Sequence, residues 1–162
     1  FTANPNALLG ADPHTRFRRY SGCPNVQIAA NWMTVRNSDL STALQFRRLA
    51  GGTQNLANCN LGTGSRYISA QPAFVLNYTN DGNGRNGQRL RLRMEDGNTG
   101  RTCDTTFMVR DPNGQWWYND DLPNYGWNAG LAMGNAPSGL YHVFIGTYNS
   151  GTCQADIILE RY

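Results

Sequence analysis

Between Gln88 and Glu95 the chain reads QRLRLRME. Leu90, Leu92 and Met94 point one way if this segment is extended, and Arg89, Arg91 and Arg93 point the other. That period of two belongs to a half-buried β-strand with one wet, cationic face; a helix would set Arg91 on the side opposite Arg89 and Arg93. The same grammar recurs on both sides. Apolar, β-branched or aromatic runs over 73–79, 102–110, 115–119, 131–133, 140–148 and 152–161 are separated by polar, glycine-rich segments. The sharpest of these is Asp111-Pro112-Asn113-Gly114, where proline presets φ and glycine accepts a positive one. Asn149-Ser150-Gly151 reads as the turn of a hairpin joining the last two strands. Six or seven short strands at this spacing predict an all-β fold, a jelly-roll-like antiparallel β-sandwich. No segment in this half carries helix start and stop signals.

The composition agrees. All 14 basic residues are arginine, only two acids are glutamate, and charged residues make up 15% of 162. Few strong helix formers are present to compete with strands. A net charge of +3, with no recognisable binding motif, argues against nucleic acid as a partner. No apolar run approaches the ~18 residues of a membrane span. The first part of the chain is less regular. Residues 1–42 read as an N-terminal extension and 43–162 as the sandwich domain. Within the first part, 26–35 has strand character, as does 42–49 beyond it, with Asn37-Ser38-Asp39 between them as a turn. Phe1–Tyr20 lacks any sustained period. It carries scattered anchors, Phe1, Leu8, Leu9, Phe17 and Tyr20, and the cations Arg16, Arg18 and Arg19. Such a segment needs a surface to dock on. A neighbour's open sheet edge offers one, so the expectation is a homo-oligomer or polymer formed through this arm; the competing reading is an arm that wraps its own domain.

Four cysteines, Cys23, Cys59, Cys103 and Cys153, occur without any C-x-x-C spacing. Zinc-ribbon and thioredoxin-type sites are thereby disfavoured. An even count in a glycine- and asparagine-rich chain that starts at Phe1 suggests two disulfides and an oxidising compartment: secreted, at the cell surface, or periplasmic. Three pairings are open, and four buried thiols are the plainer alternative. The preferred pairing is Cys103–Cys153, since each cysteine opens a strand and both can sit at one end of a sheet, with Cys23–Cys59 tying the extension to the body.

The run CDTTFMVRDPNGQWWYNDD (103–121), followed by APSGLYHVFIGTY (136–148) and CQADIILE (153–160), resembles the bacterial pre-peptidase C-terminal domain family. Shared elements are Asp104-Thr105, the 111–114 turn, Asn119-Asp120-Asp121 and the Gly139–Tyr148 strand. The L-x-x-C segment at Leu56–Cys59 and the P-x-F-x-L-x-Y strand at Pro72–Tyr78 extend the resemblance over roughly 43–162. It implies a jelly-roll-like sandwich exported by Gram-negative bacteria, without catalysis of its own, serving secretion or surface binding and in some cases binding calcium. The extension and its Cys23 are not part of that pattern.

The chemistry-bearing residues point the same way. No G-x-S-x-G occurs. His14 lies in the irregular arm and His142 in the middle of a strand, which disfavours a Ser-His-acid triad. Adjacent Asp120 and Asp121 are a poor acid–base pair across a cleft. They suit a cation better. Calcium takes six to eight hard oxygens, and Asn119, Asp120 and Asp121, with Asp104 and Asp111 nearby, supply several; the competing reading is that they cap their own turns. Trp116 and Trp117 must face opposite sides of a strand. With Tyr125 and Trp127 they form a candidate stacking surface for a polysaccharide. Arg89, Arg91 and Arg93 form a candidate anion-binding stripe, or simply a solvated sheet face. No cofactor is required beyond a structural Ca2+. The function expected is a non-catalytic, secreted, self-assembling subunit of an extracellular structure such as a filament. The alternative is a carbohydrate-binding or adhesive module.

Overall fold

A computed structural model describes residues 24–59, 64, 66–82, 89–95 and 103–161. The expected arm, Phe1–Tyr20, and Cys23 lie outside the described residues. Among those described, the strands are β1 (Trp32–Arg36), β2 (Leu44–Gly52), β3 (Gln54–Asn55), β4 (Tyr67–Ile68), β5 (Phe74–Thr79), β6 (Leu90–Glu95), β7 (Thr105–Arg110), β8 (Trp116–Asn119), β9 (Gly130–Met133), β10 (Gly139–Thr147) and β11 (Gly151–Arg161). They form two facing sheets, an all-β sandwich. In the first, β10 is central, with β5 and then β4 along one edge and β7 along the other; β1, β3 and β8 lie outside these. The second runs β2-β11-β6-β9. The chain passes repeatedly from one sheet to the other. All pairings are antiparallel except β1 with β5.

The alternation read in the sequence builds the space between the sheets. Leu90, Leu92 and Met94 meet Phe74, Leu76 and Tyr78 of β5, Phe107 and Val109 of β7, Tyr141, Val143 and Ile145 of β10, and Ala155, Ile157 and Leu159 of β11 in one buried cluster. Burying a side chain such as Phe74 or Phe107 contributes about 1.5–3 kcal/mol each. The first sheet is also covered on its outer face. There Met108, Phe144 and Trp116 pack under Leu56, Cys59 and Ile68 from the 53–68 connection. This double burial explains why β7 (TTFMVR) reads as a continuous apolar run rather than an alternating one.

Three expectations change. First, the last two strands are not a hairpin: β10 lies in one sheet and β11 in the other. Each already has a partner on both edges, β5 and β7 for β10, β2 and β6 for β11. The 148–150 segment therefore arches between layers, with the Thr147 hydroxyl donating to the carbonyl oxygen of Asn149 and Gly151 at φ 107. Second, and for the same reason, the Cys103–Cys153 bridge ties the two sheets together rather than one end of a single sheet. It spans 50 residues, worth about 4 kcal/mol in the chain-entropy account. Cys59 is also disulfide-bonded; its expected partner, Cys23, lies outside the described residues. Third, of the run 26–35 only residues from Trp32 onward form a strand. Asn25 folds the segment before it into a turn, accepting the Gln27 amide on its side chain and the Ile28 amide on its carbonyl. β1 then pairs with β5, so part of the 1–42 extension is a strand of the sandwich itself.

Candidate functional site

A cluster of three carboxylates forms where β7 begins and β8 ends. β7 and β8 are antiparallel, with Phe107 opposite Asn119 and Arg110 opposite Trp116. The start of one strand and the end of the other therefore share an end of the sheet. Asp104, just before β7, is brought against Asp120 and Asp121, just after β8. One carboxylate oxygen from each lies within 4.8 Å of the others.

The surrounding loop is held firmly. Asn119 is buried; its amide oxygen accepts from Gly130 N at 3.0 Å, and its amide nitrogen donates to the Asp121 carbonyl at 3.3 Å. Ala129 N donates to the Thr105 hydroxyl at 3.2 Å. Within the loop, the Leu122 amide donates to the Asn128 carbonyl at 2.9 Å, and Asn124 takes a left-handed φ of 72, which asparagine tolerates better than most residues. A side chain at Gly130 would come within 2.6 Å of Leu122, so that position has no room for one.

Among the described residues one cation answers the three carboxylates. Arg66, immediately before β4, donates to Asp120 at 2.8 Å and lies over the Tyr148 ring at 4.2 Å. The balance stays negative. Burial, then the charges of Asp120 and Asp121, push the Asp104 carboxyl up to about 6. Asp121 is raised by burial and by Asp120. Burial and Asp120 push the Tyr118 hydroxyl up to about 12. Asp104 Oδ1 and Asp120 Oδ1 are buried without a hydrogen-bond partner. Two oxygens that share a Ca2+ at 2.3–2.6 Å lie at most ~5 Å apart, so the 4.8 Å cluster and its orphaned oxygens fit such a cation. Beside it lies a pocket of about 200 Å³ lined by Asp104, the Cys103–Cys153 bridge, Trp127, Asn149 and Ser150.

The other residues read from the sequence fall elsewhere. Asp111 is not part of the cluster. It is buried and caps its own turn: Oδ1 accepts from the amides of Asn113 and Gln115, and Oδ2 from Trp117 Nε1. Those bonds occupy its oxygens, which removes it from the calcium set. Trp116 is fully buried against Phe144 and offers no face to a sugar; Trp117 is partly buried and packs on the inter-sheet core. Trp127 is 52% exposed.

The arginine stripe does not form an open anion site. Arg91 and Arg93 both donate to Glu160 Oε1, at 2.7 and 2.8 Å, and Arg93 reaches Glu95 at 3.0 Å. Their guanidinium groups lie 5.2 and 4.7 Å from the centre of the Tyr125 ring. Two cations thus share two carboxylates and one aromatic face. Arg89, just before β6, is exposed. Burial alone would raise Glu160, but the hydrogen bonds from Arg93 and Arg91 outweigh it and hold the carboxyl below its ordinary range. Arg66 lies in a stretch without periodicity or motif, and Tyr148 closes the Gly139–Tyr148 strand, whose pattern assigns its ring no role at this site. No protein-family model matches the chain, and no curated protein matches it.

Proposed function

We propose that the chain is a non-catalytic, secreted structural protein that assembles with copies of itself through its N-terminal segment. The observation that carries this reading is an open side of the sandwich. Among the described residues β1 pairs only with β5, and β2 only with β11. The short 37–43 connection joins them, so both edges lie on the same side. Four of the six large apolar residues exposed among the described residues, Ile28, Trp32, Leu44 and Leu49, belong to this side. Unpaired strands flanked by apolar side chains invite pairing with another chain. The resemblance to exported pre-peptidase C-terminal domains supports the secreted location. Native particles examined by size-exclusion chromatography and electron microscopy test the proposal. The full chain should form oligomers or filaments, and deletion of residues 1–20 should leave a folded monomer. A full chain that is monomeric at high concentration refutes it.

In this reading Asp104, Asp120 and Asp121 hold a structural Ca2+ that fixes the 120–129 loop. The orphaned carboxylate oxygens support this role. A second reading, a carbohydrate-binding module, is favoured by one observation: the half-exposed Trp127 beside the small pocket that contains Asp104. Glycan-array binding lost in Trp127→Ala, with assembly unchanged, would favour it.

A further inference from the structure

The open side contains a groove of about 460 Å³ between β2 and the loop that precedes β5. Arg48 and Leu49 form one wall, Pro72 and Ala73 the other, Ala30 part of the rim, and Ile145 part of the lining. Ile145 belongs to the inter-sheet core, so the groove opens onto the interior of the sandwich. β2 shows how that interior is closed at present. Its alternation turns Phe46, Arg48 and Ala50 inward and leaves Gln45, Arg47 and Leu49 exposed. An arginine thus stands where an internal strand would place an apolar side chain. Its guanidinium lies over the rings of Phe46 and Phe74, at 4.9 and 6.0 Å, and its Nε is buried without a hydrogen-bond partner.

We propose that this groove receives residues 6–11 (NALLGA) of a second copy as an added strand along β2. The inference rests on the assembly reading and names the surface that assembly uses. Three features select the occupant. The 23 residues that precede Pro24 contain one adjacent pair of large aliphatic residues, Leu8-Leu9, flanked by the small Ala7, Gly10 and Ala11. The rest of that segment from Asp12 to Arg19 is strongly charged and unsuited to a groove that already holds Arg48. An extended segment presents backbone carbonyls along its length, and one of them satisfies Arg48 Nε. The intervening residues 12–23 reach up to about 40 Å when extended, enough to cross to a neighbouring subunit. The added strand pairs with the free edge of β2 by β-augmentation, while alternate side chains fill the groove.

A complementation experiment with the full chain tests this. One variant carries Leu8→Asp and Leu9→Asp, which spoils the segment and leaves the groove. The other carries Leu49→Arg, an exposed substitution that spoils the groove and leaves the segment. Each variant alone should run as a folded monomer with a cooperative melt, and the equimolar mixture should form a dimer that grows no further. If Leu49→Arg still polymerises while the segment variant does not, the groove is the wrong surface and the assembly reading stands. If the wild type is itself a monomer and the segment variant lowers its melting temperature, the segment belongs to its own chain, and both proposals fall. If both variants are monomeric but do not complement each other, the pairing of segment with groove is refuted.

Discussion

Two clusters of charge stand out among the described residues, one on the outer face of the second sheet and one at the end of the first. On the face, Arg91 and Arg93 share Glu160 and Glu95 above the Tyr125 ring. At the end, Asp104, Asp120 and Asp121 face one arginine, Arg66, among the described residues. Both contain partly buried ions, but only the first is balanced. The consequence appears in the carboxyls: Glu160 is held below its ordinary range, whereas Asp104 is pushed up to about 6. A balanced cluster spends its charges on the fold. An unbalanced one costs stability unless a cation joins it, which makes it the better candidate for binding.

The largest expected effect breaks the balanced side. Glu160 is 16% exposed, and its partners Arg91 and Arg93 are 20% and 15% exposed. Glu160→Ala leaves two half-buried guanidinium groups short of a carboxylate. Breaking a fully buried pair costs ~3–5 kcal/mol; partial exposure brings the expected loss to about 2–3 kcal/mol, read from urea denaturation at pH 7. A loss under ~0.5 kcal/mol would show that the ladder is decoration.

The second effect has the opposite sign. Without a divalent cation, Asp104→Asn should stabilise the protein at pH 8. The gap between the ordinary carboxyl value of 3.8 and about 6 is worth at most ~3 kcal/mol. Partial exposure reduces the expected gain to about 1–2 kcal/mol. The sign follows from linkage. A carboxyl raised in the folded state binds its proton more tightly there than in the unfolded chain, so its contribution is favourable at low pH and is lost as pH rises through about 6. Glu160 is the reverse: its contribution is present above the unfolded value near ~4.3 and is lost as pH falls through its depressed folded value. Wild-type stability without calcium should therefore decline between about pH 4 and 6.5, and Asp104→Asn should flatten that decline. Millimolar Ca2+ at pH 7.5 should raise the wild-type melting temperature with concentration and leave the variant unmoved. An identical calcium response in the two proteins would remove the cation from this site.

The sequence showed the face more clearly than the end. QRLRLRME exposed the period and hence the arginine side of β6, but the carboxylates that neutralise it come from β11 and could not be paired without knowing the sheet order. The acid cluster was half legible. The Asp111–Gly114 turn implied a hairpin, and continuing the observed register past the strand ends sets Asp104 across from Leu122, next to Asp120-Asp121. Asp111 was misassigned because a turn-capping aspartate and a metal-ligating one look alike until the hydrogen bonds are seen. Arg66 left no signal, since its position depends on the pairing of the two-residue β4 with β10 and β3 and on the Leu56 amide that donates to its carbonyl. The arch at 148–150 was misread because a short glycine-containing turn between two strands is consistent with either a hairpin or a change of sheet. Only the partners on the other edges of β10 and β11 decide between them.

The smallest effect asks whether the two clusters communicate. The 120–129 loop runs from one to the other: Asp121 stands at its start, and Tyr125 lies in the middle beneath Arg91 and Arg93. Replacing Tyr125 with Leu keeps apolar bulk and removes the ring's negative face, a loss of about 0.5–1 kcal/mol at a partly exposed site. The loop's ends are pinned independently, by Asn119 to Gly130 and by Ala129 to Thr105. Loss of the ring therefore has no direct route to the carboxylates. The double variant Tyr125→Leu/Asp104→Asn should be additive to within ~0.5 kcal/mol, and the calcium-dependent rise in melting temperature should survive in Tyr125→Leu. A coupling above ~1 kcal/mol, or a calcium response lost with the tyrosine, would mean that the loop moves as one body and that the arginine ladder belongs to the site after all.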